Sequence, residues 1–347
     1  MPRTLPMPRF TTLLAAVLLF HWCAAQDLVS TTPGNRIALL EQFTAMGCGN
    51  CPAAHAIANT LVTVYPDDLV VIGVHGGSLA YPTGSQPDFR TADGSALWSE
   101  LSVLYQPQGT VNRGGLSAAS QWATAVANIL EQQSPVNLGA ATTFNSGTRE
   151  LTVDLELYYT ADRTAEDRIS IVLLQDHIIG YQQDYSNGAQ PAYDHRHVLR
   201  DHITPLAGDP VALAQQSDLV QRTYTFTVPD EWEISDLSVV AFVREEGGVV
   251  WQAHIVPASG GVTAVPHIRT AQVGQAFPVP ADEVLFIPLM EVAEARTVQL
   301  RDAQGRLVKE QRVPMASALV GVDVSDLAPG VYTYGYAGGA ARRAVVR

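Results

Sequence analysis

"FTAMGCGNCPAAH", residues Phe43 to His55, decides how the first half of this 347-residue chain is read. Two thiols two residues apart, followed at once by Pro52, fit a redox pair, a metal clip or an inert staple. Upstream, Ile37-Ala38-Leu39-Leu40-Glu41-Gln42-Phe43 has the largely apolar character of a buried strand. Downstream, Ile57, Leu61 and Val64 recur at helical spacing until Pro66-Asp67-Asp68 ends the run. The pair therefore sits at a strand-to-helix corner. Pro52 is tolerated in the first helical turn, and the partial positive charge of a helix N-terminus favours thiolate over thiol. Cys48 is expected to be the exposed, attacking sulfur and Cys51 the resolving one.

The α/β alternation continues beyond the corner. Leu69 to Val74 reads as a second buried strand, residues 76–94 as a polar loop, and Leu97, Leu101 and Leu104 as one helix face. Thr110 to Arg113 is a short strand turning at Gly114-Gly115, and Ser117 to Gln132 closes an α/β domain placed at 35–133. From Pro135 the period changes to two, most cleanly in Leu151 to Leu157, and turn signals separate the runs. An antiparallel β-sandwich is expected over 135–257, interrupted by a long His-rich loop from Tyr193 to His202. Residues 258–275 read as a linker, and 276–347 as a small all-β domain with a hairpin turn at Asp302-Ala303-Gln304-Gly305.

A formal net charge of −13 without basic runs argues against nucleic acid and anionic membrane surfaces as partners. The first 25 residues carry Arg3 and Arg9, a short apolar run from Thr11 to Phe20, and Ala24-Ala25 before Gln26. This is a signal peptide pattern with cleavage after Ala25. Cys23 also admits a lipidated reading, against which the bulky Phe20-His21-Trp22 stand. No later stretch is long and apolar enough for a transmembrane helix. Cys48 and Cys51 are then the only cysteines left, in a compartment where a disulfide persists.

Metal chemistry has less support. Cys48, Cys51 and His55 form a C-x2-C-x3-H set that lacks the fourth ligand of a structural zinc. Proline after Cys51 excludes c-type haem attachment. His195 and His197 would face one way on a strand and could share an ion, but solvated or backbone-bonded loop histidines are the commoner outcome. No cofactor and no metal is expected.

The order strand, CxxC, helix, strand and a later proline resembles the thioredoxin-like fold. Within it, "LLEQFTAMGCGNCPAAHAIANTL", "YQPQGTVNRGG" and His195-Arg196-His197-Val198-Leu199-Arg200 resemble the outer membrane protein 28 related family. That resemblance implies a thioredoxin-like domain joined to a β-rich one. It also implies a cis Pro107 facing the cysteines, with the Gln106 backbone as an edge for a substrate peptide. Asn112 and Arg113 would support that edge, and His195 and His197 would dock their loop on the thioredoxin-like domain.

"AFPVPADEVLFIPL", "VQLRDAQGRLVKEQRV" and "VDVSDLAPGVYTYGY" resemble, in order, the sorting domain of type IX secretion, with Val279 where Asn is usual. This resemblance implies handling by the type IX secretion machinery and a destination at the cell surface, the outer membrane or the exterior.

Two functions follow. One is a slow thiol–disulfide oxidoreductase or isomerase acting on exported protein thiols, with Cys48, Cys51 and Pro107 as its catalytic residues. The other is a surface binding or adhesion protein, engaging a surface ligand, in which the Cys48–Cys51 disulfide is structural. Rapidly exchanging thioredoxins carry a buried acid six residues before the first cysteine. Here that residue is Gln42, and strand alternation turns Glu41 to the opposite face.

Overall fold

A computed structural model of the chain describes residues 28–84, 86–262, 273–289, 296–302, 306–313, 319–336 and 341–347. The signal peptide over 1–25, Cys23 and most of the linker over 258–275 lie outside the described residues.

The first segment runs β1 (Ala38–Thr44), α1 (Cys51–Val64), β2 (Leu69–His75), α2 (Ala92–Glu100), β3 (Gln108–Val111), β4 (Leu116–Ser117) and α3 (Trp122–Leu130). Strand β1 pairs parallel with β2 and antiparallel with β3, whose register sets Phe43 opposite Gln108. Both β1 and β2 are buried along their whole length, which explains their near-continuous apolar sequences. Helix α1 lays Ala54, Ala58 and Leu61 on this sheet. Helix α2 is shorter than its apolar spacing predicts: it ends at Glu100, Ser102 takes a left-handed conformation, and Leu104 is left 89 % exposed.

The second segment supplies β5 (Val136–Asn145), β6 (Glu150–Tyr159), β7 (Asp167–Gln175), β8 (Ile178–Gln182), β9 (Gln190–His195), β10 (Val198–His202), β11 (Asp209–Val211), β12 (Leu219–Thr227), β13 (Leu237–Glu245), β14 (Val250–Pro257) and β15 (Gly261–Val262). Its strands do not all stay together. The order β14-β13-β7-β10-β2-β1-β3-β4 forms one large sheet with β11 on β7, while β12-β6-β5-β15 forms a second.

The join is β10, in the run expected to be a loop. It pairs antiparallel with β7 and, at Val198 and Gly73, parallel with β2. Charged and imidazole side chains hide its strand character in sequence, yet Val198 and Leu199 are both fully buried. Segments 35–133 and 135–257 thus contribute to the same sheet.

Alternation assigns the faces. Leu39, Phe43, Ile72, Val172, Val240 and Phe242 meet Leu97 of α2 on one side. Ile171, Leu173, Val239 and Ala241 point the other way, into the core shared with Val153, Leu155 and Leu157 of the second sheet. Helices α1 and α3 cover that same side at the other end of the large sheet.

The large sheet curls until β14 reaches the first strand. Gln252 Oε1 accepts from Ile37 N at 2.7 Å, and Val250 N donates to Asn112 O at 3.0 Å. Asn112 is the clasp: its Oδ1 accepts from Leu39 N at 2.7 Å, and its Nδ2 donates to Val250 O at 3.0 Å. It does so from a left-handed backbone, φ 47°, that asparagine tolerates better than most residues. Asn112→Ala strands a buried N–H and a buried carbonyl, so a loss of roughly 2–4 kcal/mol is expected in urea unfolding.

Beyond the linker, β16 (Val284–Pro288) pairs with β19 (Leu319–Asp323). Strands β17 (Arg296–Arg301), β18 (Leu307–Val313), β20 (Gly330–Tyr336) and β21 (Ala341–Val346) make a four-stranded antiparallel sheet, and the two sheets enclose a separate core. This C-terminal unit is all β among the described residues, and strands predominate among the described residues of the chain.

Candidate functional site

Strand β1 leads through Ala45-Met46-Gly47 into the cysteine corner, and Cys48 and Cys51 are joined in a disulfide. Cys51 opens α1, with Pro52 in its first turn. The sulfurs are not where the sequence reading puts them. Cys48 is 3 % exposed and Cys51 0 %, packed with Ala45 and Ala80. The expectation of an exposed attacking cysteine is corrected by a cover that only the fold reveals.

That cover is the β8–β9 hairpin and its connecting loop, inserted between β7 and β10. Gln183 N donates to Met46 O at 2.7 Å, and Tyr185 N donates to Gly49 O at 2.9 Å. The Gln182 side chain, itself fully buried, donates to Ala45 O at 3.2 Å and to Cys48 O at 3.0 Å. The Tyr185 ring lies on Gly49 so closely that a Cβ there would fall 2.3 Å from it. Glycine at 49 is therefore a packing requirement of the cover. On the other flank, Gly47 N donates to Leu79 O at 3.0 Å.

The hairpin is anchored to the sheet by histidines. Thr44 Oγ1 and His55 Nε2 are 2.7 Å apart, and His55 Nδ1 and Tyr193 Oη are 2.9 Å apart. His195, at the end of β9, packs its ring 4.9 Å from Tyr193, 4.7 Å from Phe89 and 5.8 Å from His75. Its Nε2 donates to Tyr181 O at 3.1 Å. Burial, then repulsion from His195 and His197, pushes His55 down to about 3. Burial likewise pushes His195 down to about 4, the Tyr181 carbonyl and Asp194 opposing it in part. His75, beside His195 and His55, is held well below the ordinary histidine range, chiefly by burial. All three are neutral at pH 7.

Gln42 lines the same small cleft with Thr44, His55 and His75. Its Oε1 and His75 Nδ1 are buried without a hydrogen-bond partner among the described residues. Gln42 thus puts a neutral amide, and not a carboxylate, into this cleft. Glu41 is on the opposite face, in a buried two-point ion pair with Arg113 at 2.9 and 3.1 Å.

The remaining sequence-derived residues fall into place individually. The Gln106–Pro107 peptide bond is cis. Pro107 immediately precedes β3 at the end of the sheet where β1 enters the cysteine loop. Gln106 brings its side-chain amide to Gly77. Asn112 and Arg113 are taken up by the clasp and the ion pair. His195 and His197 do not converge on one ion: His197 has φ 57°, which breaks the alternation. Its backbone instead bonds Asp176 Oδ1 and Gly73 N, both at 2.6 Å. No set of three metal-ligating side chains occurs among the described residues.

Sequence reasoning missed Gln182, Tyr185, Tyr193 and His75 as parts of this site. The only available signal was the unusual aromatic and polar density of residues 181–197.

Comparison with known proteins adds the wider context. Residues 95–257 match the family outer membrane protein Omp28, and residues 275–345 match the secretion system C-terminal sorting domain. The chain thus carries an Omp28-matching segment followed by a C-terminal sorting domain. Such a chain is an exported protein of the cell surface or outer membrane, handled by the type IX secretion machinery. No described helix is long and apolar enough to cross a membrane.

Among solved structures, HBP35 of Porphyromonas gingivalis is similar to this chain with a TM-score of 0.55 at 20 % identity. The likeness covers 90 % of this chain and 98 % of that one, and it concerns the fold alone. A protein from Agrobacterium tumefaciens aligns over 65 % of this chain and 96 % of its own, at 13 % identity and a TM-score of 0.43. No curated protein matches the sequence.

Proposed function

We propose that this exported protein is a non-catalytic surface binding or adhesion protein. Its α/β half, residues 35–133, is a thioredoxin-like scaffold joined to a β-sandwich over 135–257, and the Cys48–Cys51 disulfide is a staple. The observation that carries this reading is the cover: Cys48 and Cys51, 3 % and 0 % exposed, lie beside a loop pinned to their corner by four hydrogen bonds at its base. So little exposed surface at Cys48 disfavours attack by a substrate thiol. Gln42 supports the same reading, since an amide takes no proton from a leaving thiol. Closing so short a loop contributes about 2 kcal/mol in a chain-entropy view, enough to hold the corner in shape.

A second reading, slow exchange with Cys48 attacking, Cys51 resolving and Pro107 shaping the edge, draws on Cys51 opening α1. The helix N-terminus there would stabilise a thiolate once the pair is reduced.

Insulin reduction with dithiothreitol separates the two. The wild-type chain is expected to accelerate insulin precipitation no more than Cys48→Ser does. A rate that depends on Cys48 would establish the exchange reading instead.

A further inference from the structure

The C-terminal unit exposes an apolar stripe that its own core does not use. In β16, Leu285 and Ile287 are fully buried while Val284 and Phe286 face outward. Phe277 exchanges both backbone hydrogen bonds with Phe286, at 2.8 Å each, and their rings stack at 5.7 Å. Across the ribbon, Gly321 of β19 lies opposite Phe286, and a Cβ there would sit 3.2 Å from Val284 and 3.4 Å from Phe286. Leu319, two residues before Gly321, continues the same face. Val279, two residues after Phe277, adds a further exposed side chain where the sorting-domain pattern usually has asparagine. These five side chains are between 36 % and 49 % exposed with the rest of the chain in place.

The unit meets the body of the protein elsewhere. Gln275 Nε2 donates to Tyr65 Oη at 3.2 Å, and Arg343 of β21 bonds the Thr63 carbonyl. No described residue covers the stripe, and contiguous exposed apolar surface of this kind marks an interaction site.

We infer that the Phe277–Val279–Val284–Phe286–Leu319 face of the β16–β19 ribbon is the surface by which the secretion machinery grips the sorting domain. Its partner is a protein groove with an apolar floor and a basic rim. The domain's match to a sorting domain names the occupant, because such a unit exists to be bound during export. Charge names the chemistry of the rim. Asp282 and Glu283 precede β16, Asp323 is paired with Val284, and all three are exposed. Acids beside an apolar face oppose an anionic lipid surface, which favours Lys and Arg there.

The test uses the full chain in cells that carry the secretion system. Val284→Ser with Phe286→Ser is expected to lower the surface or extracellular fraction by roughly tenfold, with the chain accumulating in the periplasm. Leu307→Ser with Val331→Ser, equally exposed apolar positions on the other sheet, should leave delivery unchanged. Purified chains are compared for melting temperature and protease resistance. If the serine pair unfolds the unit, Leu319→Lys, which touches only the exposed end of the stripe, must give the same export defect. Full delivery of folded stripe variants would overturn the inference. So would a stripe variant that abolishes self-association or vesicle binding of the purified chain while export proceeds, since the face would then serve a second copy or a membrane.

Discussion

Lowering the pH from 7 to 4 should destabilise this protein far more steeply than its exposed carboxylates would. The cause is the set of neutral histidines that anchors the cover: His55 pushed down to about 3, His195 to about 4, and His75 well below the ordinary value. Unfolded, each takes up a proton near pH 6.5; folded, His195 refuses it until about pH 4 and His55 until about pH 3, and His75 is shifted in the same direction. The unfolded state therefore binds more protons throughout that window. Stability is complete above about pH 6.5 and is lost as the pH falls. Each histidine contributes at most about 1.4 kcal/mol per pH unit, so His55 and His195 together give a slope of roughly 2–3 kcal/mol per unit between pH 6 and 4.5, and His75 adds to it in the same direction. His197 and His202, also lowered mainly by burial, act in the same direction. Asp184, Asp194 and Arg196 face the cluster from the hairpin and its flanks but leave the direction unchanged. Urea midpoints at pH 7, 5.5 and 4.5 give the slope, and His195→Phe should reduce it by about one proton's worth. A midpoint that holds steady to pH 4.5 would mean that the cluster is not buried as described.

Arg113→Met is expected to cost about 3–5 kcal/mol, because it leaves the Glu41 carboxylate buried without its cation. Glu41 is 1 % exposed, and Arg113 meets it with two nitrogens while lying over the Phe242 ring at 5.6 Å. The pair sits where β1, β3 and β13 come together, so its loss loosens the curl of the large sheet. Replacing both partners, Glu41→Met with Arg113→Met, should recover most of the stability, since the penalty lies in the orphaned charge rather than in the absence of a bridge. Urea unfolding of the two single variants and the double variant measures this directly. Equal losses in all three would show that packing, and not charge, is at stake.

Much of the framework is legible in the residues themselves. Continuous apolar runs mark β1 and β2 because both faces of those strands are covered, and strict alternation marks β6 because its core side meets β7 and β13. What sequence could not supply is what crosses between segments. β10 reads as a loop because its interior character rests on two residues, Val198 and Leu199, set among charged ones. The clasp at Asn112 and the cover over Cys48 depend on residues more than 130 positions away. No local period carries such contacts. Gln42 and Glu41 were separable by alternation alone, because their faces follow from strand geometry. Cys48 was misjudged for the opposite reason: a strand-to-helix corner is exposed unless a distant hairpin lies on it.

The covered disulfide is the centre of this account, and its equilibrium with glutathione tests it most directly. The purified chain is poised in defined ratios of reduced and oxidised glutathione, acid-quenched and alkylated, and the Cys48–Cys51 thiol fraction is read by mass. A structural staple predicts a reduction potential below about −300 mV, with Cys48 still unreactive toward alkylation after mild reduction of the native chain. A potential near about −270 mV or above, as in thioredoxin, with rapid native reduction would contradict it.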